Sequence, residues 1–153
     1  MKLILVTGTP CTGKTTYAKK LCRVKNYYYF DVNLFIKSHK LHSGFDKKYD
    51  SFIVNIEDFV NSIETHIKNM KKSKLFKSKF KGVVVDSHLS HYISPKMVDL
   101  CVVMRCDLGK LKKRLEKRGY SKSKVEENVE AEIFDICLME ANDIGHRVRV
   151  VRS

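Results

Sequence analysis

No run in this 153-residue sequence approaches the roughly 20 apolar residues that cross a bilayer, and the first apolar stretch, Leu3-Ile4-Leu5-Val6, leads straight into a glycine-containing loop. Neither a membrane span nor a cleaved secretion signal is expected, and the chain reads as soluble. A C-x-x-C pair is also missing. The five cysteines, at 11, 22, 101, 106 and 137, are odd in number, which excludes a disulfide framework and zinc-site spacing and points to a reducing compartment. Acids are scarce: 17 Asp and Glu face 30 Lys and Arg, leaving a formal charge of +13. That excess favours anionic ligands and says little about fold. With 43% hydrophobic residues, 153 positions suffice for one domain (1–153) with a real core and are too few for two.

The most informative segment is Gly8-Thr9-Pro10-Cys11-Thr12-Gly13-Lys14-Thr15, which fits G-x-x-x-x-G-K-[ST] and follows the apolar run directly. A buried strand aims such a loop, its backbone N–H groups converge on phosphate oxygens, and the dipole of the following helix adds to the anion site. Lys14 would reach the terminal phosphates, Thr15 would offer its hydroxyl to Mg²⁺, and Thr16 suits an inner phosphate. Cys11 lies in an electropositive loop at a helix N-terminus, a setting that favours oxidation of a thiol rather than a catalytic role.

Apolar runs predict strands over 2–6, 27–30, 82–86, 100–104 and 147–151, and helical periodicity predicts helices over 14–23, 32–40, 57–67 and 107–118. Residues 41–56, with Gly44, Asp46 and Asp50 among aromatics, read as a loop. Ser123 and Glu126 read as a capping box opening one long helix to about 142, with Val125, Val129, Ile133 and Ile136 toward the core. Between 68 and 81 there are seven lysines, interleaved with Leu75, Phe76 and Phe80. Such a run is usually a solvated helix end or loop; the aromatic interleaving leaves an RNA contact as the alternative. The succession is that of a three-layer α/β domain on a parallel sheet.

Asp86, at the end of three valines, is the expected second anchor for Mg²⁺. Extended geometry would carry His88, two residues on, to the same side, where it could position a water or accept a proton. The pairs His39/His42 and His88/His91 lack a third ligand and do not read as a metal site. Phosphoryl transfer also needs cations around the moving group. Arg114 and Arg118, on one helix face as a small lid, and Arg105 at a strand end are the candidates.

These features occur in order with Gly44-Phe45-Asp46…Tyr49-Asp50, Asp86-Ser87-His88, Met104-Arg105-Cys106-Asp107, Arg114 through Tyr120, and Asn128…Glu132-Ile133-Phe134. Together they resemble the atypical adenylate kinases, isoenzyme six, of ribosome assembly. The resemblance implies a P-loop nucleoside monophosphate kinase core with strand order 2-3-1-4-5 and a short lid. ATP and Mg²⁺ would serve as donor and AMP as acceptor, with a slow ATPase activity. It assigns ATP contacts to Cys11, Gly13, Lys14, Thr15, Thr16 and Arg118, Mg²⁺ to Thr15 and Asp86, water ordering to His88, and the acceptor side to Lys37, Asp46 and Arg105. It also implies a monomer that works in small-subunit maturation with a ribosomal protein and rRNA, in nucleus and cytoplasm or in the cytoplasm where the source has no nucleus. Lys37 replaces an arginine of relatives and loses its bidentate fork. The chain stops at Ser153, before the adenine-side loop and terminal helix of relatives, so adenine selectivity is expected to be looser or supplied by a partner. A nucleotide-switched assembly ATPase with vestigial AMP kinase activity is the alternative.

Overall fold

The computed structural model describes residues 1–46 and 51–153. The apolar runs become parallel strands, the three central ones (2–7, 82–86 and 100–105) buried on both faces and the two edge strands only partly covered. These are β1 (Lys2–Thr7), β2 (Tyr27–Asp31), β5 (Gly82–Asp86), β6 (Leu100–Arg105) and β7 (Val148–Arg152), in the order β2-β5-β1-β6-β7. Counting sheet strands alone, this is the expected 2-3-1-4-5. The central strand β1 splits its side chains between two cores. Leu3 and Leu5 join Val83, Val85, Cys101 and Val103 against α3 (Ile56–Lys72), whose Phe59, Ile63 and Ile67 are fully buried. Val6 joins Val84, Val102 and Met104 against Ala18 and Cys22 of α1 (Lys14–Lys25). Each such buried Val, Leu or Ile contributes about 1.5–3 kcal/mol.

Asp31 ends β2 and caps α2 (Val32–Ser38) by accepting from the Leu34 N–H at 3.1 Å. The stretch expected as a loop over 41–56 instead holds an antiparallel hairpin, β3 (His42–Asp46) and β4 (Ser51–Val54). Its Gly and Asp residues mask the β-branched run Ile53-Val54, and the pairing that makes it a sheet is not a local property. Tyr49 and Asp50 lie outside the described residues. The Lys-rich run is helical: the end of α3, then α4 (Lys74–Lys79), capped by Ser73. Its aromatic residues are not free to stack on bases, since Phe76 and Phe80 pack edge-on against Tyr28 of β2, with centroids 5.5 and 5.3 Å away.

The expected long helix over 123–142 is two helices. The cap is Ser121, whose hydroxyl accepts from Lys124 N–H at 3.2 Å, and it opens α6 (Lys122–Ile133). Asp135 then turns left-handed (φ 54°) and α7 (Ile136–Ile144) begins. The inward stripe of α6 includes Lys124, Val125, Asn128 and Glu132, whereas Ile133 and Ile136, expected in the core, are 52% and 41% exposed. Glu132 explains the break. Its carboxylate accepts from Cys106 N–H at 2.8 Å and Thr9 hydroxyl at 3.3 Å and faces Arg105 at 3.3 Å, while the same guanidinium grips Asp135. A buried acid that holds three elements cannot be removed cheaply. Glu132→Ala is expected to lower unfolding free energy by about 3–5 kcal/mol, and Glu132→Gln, which keeps an acceptor oxygen, by clearly less. Denaturant midpoints at constant m-value test this; equal losses in the two variants would contradict it.

Candidate functional site

The phosphate loop is shaped by what cannot fit. Gly8 has φ 143°, and a Cβ there would lie 2.7 Å from the Met104 carbonyl oxygen and 3.0 Å from the Thr12 hydroxyl; Gly13, at φ 92°, introduces α1 without any side-chain cap. The first-turn N–H groups of α1 therefore have no partner from a capping side chain. Inside the loop, Thr12 donates its hydroxyl to Thr9 carbonyl at 2.6 Å and its N–H to the same oxygen at 3.3 Å. The Lys14 ammonium folds back onto that carbonyl too, at 3.0 Å. Burial lowers the Lys14 pKa and the Asp86 carboxylate opposes that shift. The arrangement is an anion cradle with one ammonium group across it.

Parallel register sets Val6 and Asp31 opposite Asp86, so the end of β5 stands beside the start of the loop. There the Thr15 hydroxyl donates to Asp86 Oδ2 at 2.7 Å, and the Tyr29 hydroxyl donates to the same oxygen at 2.7 Å. Burial first, and the bond to Asp86 second, push the Tyr29 phenol upward, so it remains a donor. Nothing local in the sequence marks Tyr29 for this role. Its run of aromatic residues signals only a strand, and the partner is 57 positions away. Thr15 and Asp86 supply a hydroxyl and a carboxylate oxygen, hard donors of the kind Mg²⁺ takes alongside water and phosphate.

His88 does not continue an extended strand. The chain turns at Ser87, whose N–H reaches Val6 carbonyl at 3.1 Å and whose hydroxyl accepts from Leu89 N–H at 3.0 Å, before a 3₁₀ turn over Ser90–Tyr92. His88 is exposed by surface area, although protein atoms stand densely around it. This desolvation first, then the positive groups Lys14, His91 and Lys124, push it down to about 4. At neutral pH His88 is therefore an uncharged acceptor beside a cation. His91 goes the other way, into the base of the loop, where Nδ1 meets the Thr7 hydroxyl at 2.7 Å and Nε2 lies 3.6 Å from Glu140. Tyr92 donates to that carboxylate, and His146 bonds the His91 carbonyl at 2.7 Å. Thus the two histidines of this pair serve different layers. Among the described residues no cluster of three His, Cys, Asp or Glu could hold a metal.

The arginines divide likewise. Arg114, on α5 (Leu108–Lys117), donates to the Cys11 carbonyl at 3.2 Å and to the Ser153 hydroxyl at 3.0 Å, so it braces the phosphate loop. Arg118, just past α5, is exposed and bonds the Tyr120 hydroxyl at 3.3 Å. Leu111 and Leu115 of α5 pack on Val125 of α6 in a small core of their own, which places this helix pair beside the loop. Arg105 departs from expectation. Its guanidinium is consumed by Glu132 and Asp135 and stabilises the α6–α7 break instead of standing free for an acceptor phosphate. Lys37 stands exposed in the last turn of α2, and Asp46 ends β3, both on the segment between β2 and α3 rather than on the loop. Two concavities lie on that side. One of about 350 Å³ is lined by Lys40, His42, Asn55 and Asp58, and one of about 470 Å³ by His39, Thr65, His66 and Asn69.

Residues 4–135 match the protein family described as an AAA domain. An adenylate kinase isoenzyme 6 homolog of Schizosaccharomyces pombe is 38% identical over 140 residues, covering 92% of this chain and 74% of that protein. A homolog of the same name in Caenorhabditis elegans is 33% identical over 140 residues, covering 92% and 72%. Among solved structures, a sugar kinase from Janibacter superposes with a TM-score of 0.64 at 14% identity, covering 99% of this chain and 84% of that one, a likeness of fold alone. With the loop, the acid-tipped neighbouring strand and the sheet order already in place, these similarities make the chain a member of the adenylate kinase isoenzyme 6-like family of P-loop proteins.

Proposed function

We propose that the protein is an ATP:AMP phosphotransferase with an associated ATPase activity, acting in maturation of the small ribosomal subunit. The observation that carries this reading is the 2.7 Å bond from Thr15 to Asp86 across the loop from the Lys14 ammonium, a ready triphosphate and metal cradle. The loop N–H groups and Lys14 bind phosphate oxygens, and Thr16 adds an inner-phosphate contact. Mg²⁺, held by Thr15 and through its water shell by Asp86, would supply charge neutralisation at the phosphates when bound. Tyr29 fixes the Asp86 carboxylate, Arg114 fixes the loop at Cys11, and Arg118 lies at the adenine side. Lys37 and Asp46 belong to the acceptor side of this reading. Its partners are a small-subunit ribosomal protein and rRNA, in nucleus and cytoplasm or, without a nucleus, in the cytoplasm, and the chain works as a monomer.

A second reading is favoured by two observations. His88 is a neutral acceptor beside Lys14, suited to orienting water, and Arg105 is occupied by Glu132 and Asp135. In that reading ATP hydrolysis switches an assembly interface and AMP phosphorylation is vestigial. A coupled assay for ADP with and without AMP separates them. AMP is expected to raise ADP output well above the ATP-only rate, and no increase would leave the ATPase reading in place of the kinase.

Two further outcomes follow from the geometry. Asp86→Asn is expected to raise the Mg²⁺ concentration needed for half-maximal ATP turnover by about 10–100-fold, read from a Mg²⁺ titration; an unshifted titration would remove Asp86 from the metal site. For His88 the sign is that of a base needed in its neutral form with a lowered pKa. The kcat/KM for ATP hydrolysis should be flat from pH 8 down to about 5 and fall by half near pH 4. His88→Ala should remove that limb, and a half-point near 6.5 would show that His88 titrates as an ordinary histidine.

A further inference from the structure

The positive charge of this chain is not spread evenly. Between Glu64 and Asp86 there is no acid, and seven lysines stand from 68 to 81. The segment 122–144 is the reverse, with seven acids against two lysines. The fold carries the basic stretch to a definite place. The carbonyl of Lys81 accepts from the Lys2 N–H at 3.4 Å, the Lys81 N–H donates to the Asn26 carbonyl at 3.0 Å, and the Asn26 amide donates to the Lys79 carbonyl at 3.1 Å. Tyr27, Gly82 and Lys2 lie in one row of the sheet register. Hence the end of α1, the end of α3, all of α4 and the starts of β1 and β5 meet at the sheet's amino edge. Arg23, Lys25, Lys72, Lys74, Lys77, Lys79 and Lys81 are all exposed there. Among the described residues none of the seven has an ion pair; Asp99, just before β6, is engaged by Lys2 and the Leu3 N–H.

We propose that this amino edge is a binding surface for the phosphodiester backbone of RNA, on the opposite side of the sheet from the phosphate loop. Clustering seven cations costs self-repulsion, which a polyanion relieves while releasing its own counterions. Six of the seven are lysines, point charges suited to phosphate oxygens rather than forks that read base edges, so binding is indifferent to sequence. Stacking adds nothing, because Phe76 and Phe80 are turned onto Tyr28. An anionic membrane fits less well. Among the described residues the large apolar side chains exposed near the patch are Val24, Leu75, Met1 and Tyr28, at 70, 67, 40 and 37%, few for a face that inserts into lipid. The six residues of β1 rise roughly 3.3 Å each, so about 20 Å separates this surface from the phosphate loop, and RNA and Mg·ATP bind without exclusion. The choice of RNA over DNA rests on the assembly role proposed above, whereas the surface itself stands on charge placement and is independent of whether AMP is phosphorylated.

The test is fluorescence anisotropy of labelled 20-nucleotide RNAs, one all-uridine and one of mixed sequence, on the full chain between 50 and 200 mM salt. Wild-type protein should bind both alike, with affinity falling steeply as salt rises. Changing Lys74, Lys77, Lys79 and Lys81 together to Gln, a residue that preserves helix propensity, should weaken binding at least tenfold at 100 mM salt. The log–log salt slope should shrink by about 2–3, each lost phosphate contact counting for about 0.7. The same four positions changed to Arg should retain the wild-type slope, and a control with Lys112, Lys113 and Lys117 changed to Gln should bind as wild type. The Gln variant should keep the wild-type thermal midpoint and Mg·ATP turnover, which separates failure of this surface from failure of the nucleotide site. An unaltered slope in the Gln variant overturns the proposal. So does loss of binding in the Arg variant, tighter binding to single-stranded DNA of the same sequence than to RNA, or wild-type protein that sediments with phosphatidylserine vesicles and ignores RNA.

Discussion

One short hydrogen bond, from the Thr15 hydroxyl to the Asp86 carboxylate, ties the first turn of α1 to the tip of β5. It depends on two parallel strands keeping register, since Val6 must stand opposite Asp86 for the loop after β1 to meet an acid delivered 71 residues later in the chain. Register in turn depends on burial. Leu3 and Leu5 point to one core and Val6 to the other, so a slip of one residue would exchange the faces of β1 and expose or overcrowd both layers. Tyr29 completes the constraint from the edge strand and holds the same carboxylate oxygen. The chemistry at the carboxyl edge therefore rests on hydrophobic packing several ångströms below it.

The other side of the loop is governed by buried charge rather than apolar fit. Glu132 is 2% exposed and coordinates the loop through Thr9, the exit of β6 through Cys106 N–H, and Arg105. Taking an acid and an arginine out of water is costly unless each finds several partners, and here they do. The consequence is a division of labour among cations of similar sequence context. Arg105 is spent on holding α6 and α7 at their break, whereas Arg114 reaches the Cys11 carbonyl and sets the outline of the loop. Under the site, Thr7, His91, Glu140 and Tyr92 form a second polar chain that couples the start of the loop to α7.

Charge is layered along the strand direction as well. The carboxyl edge concentrates N–H donors and Lys14 for a compact anion, and the amino edge gathers unpaired lysines around α4 for an extended one. Acids collect on α6 and α7 at the flank. A molecule polarised in this way can hold two anionic ligands on opposite sides of one sheet without bringing them into competition.

The residues alone determined the phosphate loop, the five strands of the sheet and Asp86 at a strand tip, whereas the strand order was legible only through the family resemblance. The loop, the strands and the acid are written in local pattern: a glycine spacing that only a tight cradle satisfies, and short apolar runs of strand length, one of them ending in an acid. Tertiary structure decided the rest. Whether residues 42–46 and 51–54 form a hairpin depends on their facing each other. The α6–α7 break, and with it the exposure of Ile133 and Ile136, depends on Arg105 meeting Glu132 and Asp135 from a distant strand. Likewise Tyr29 acquires a role, and Phe76 and Phe80 lose one, only when β2 lies beside β5 and beneath α4. Periodicity records which face of an element is apolar, but the partner of a polar or aromatic group is fixed by long-range packing, and no local spacing encodes it.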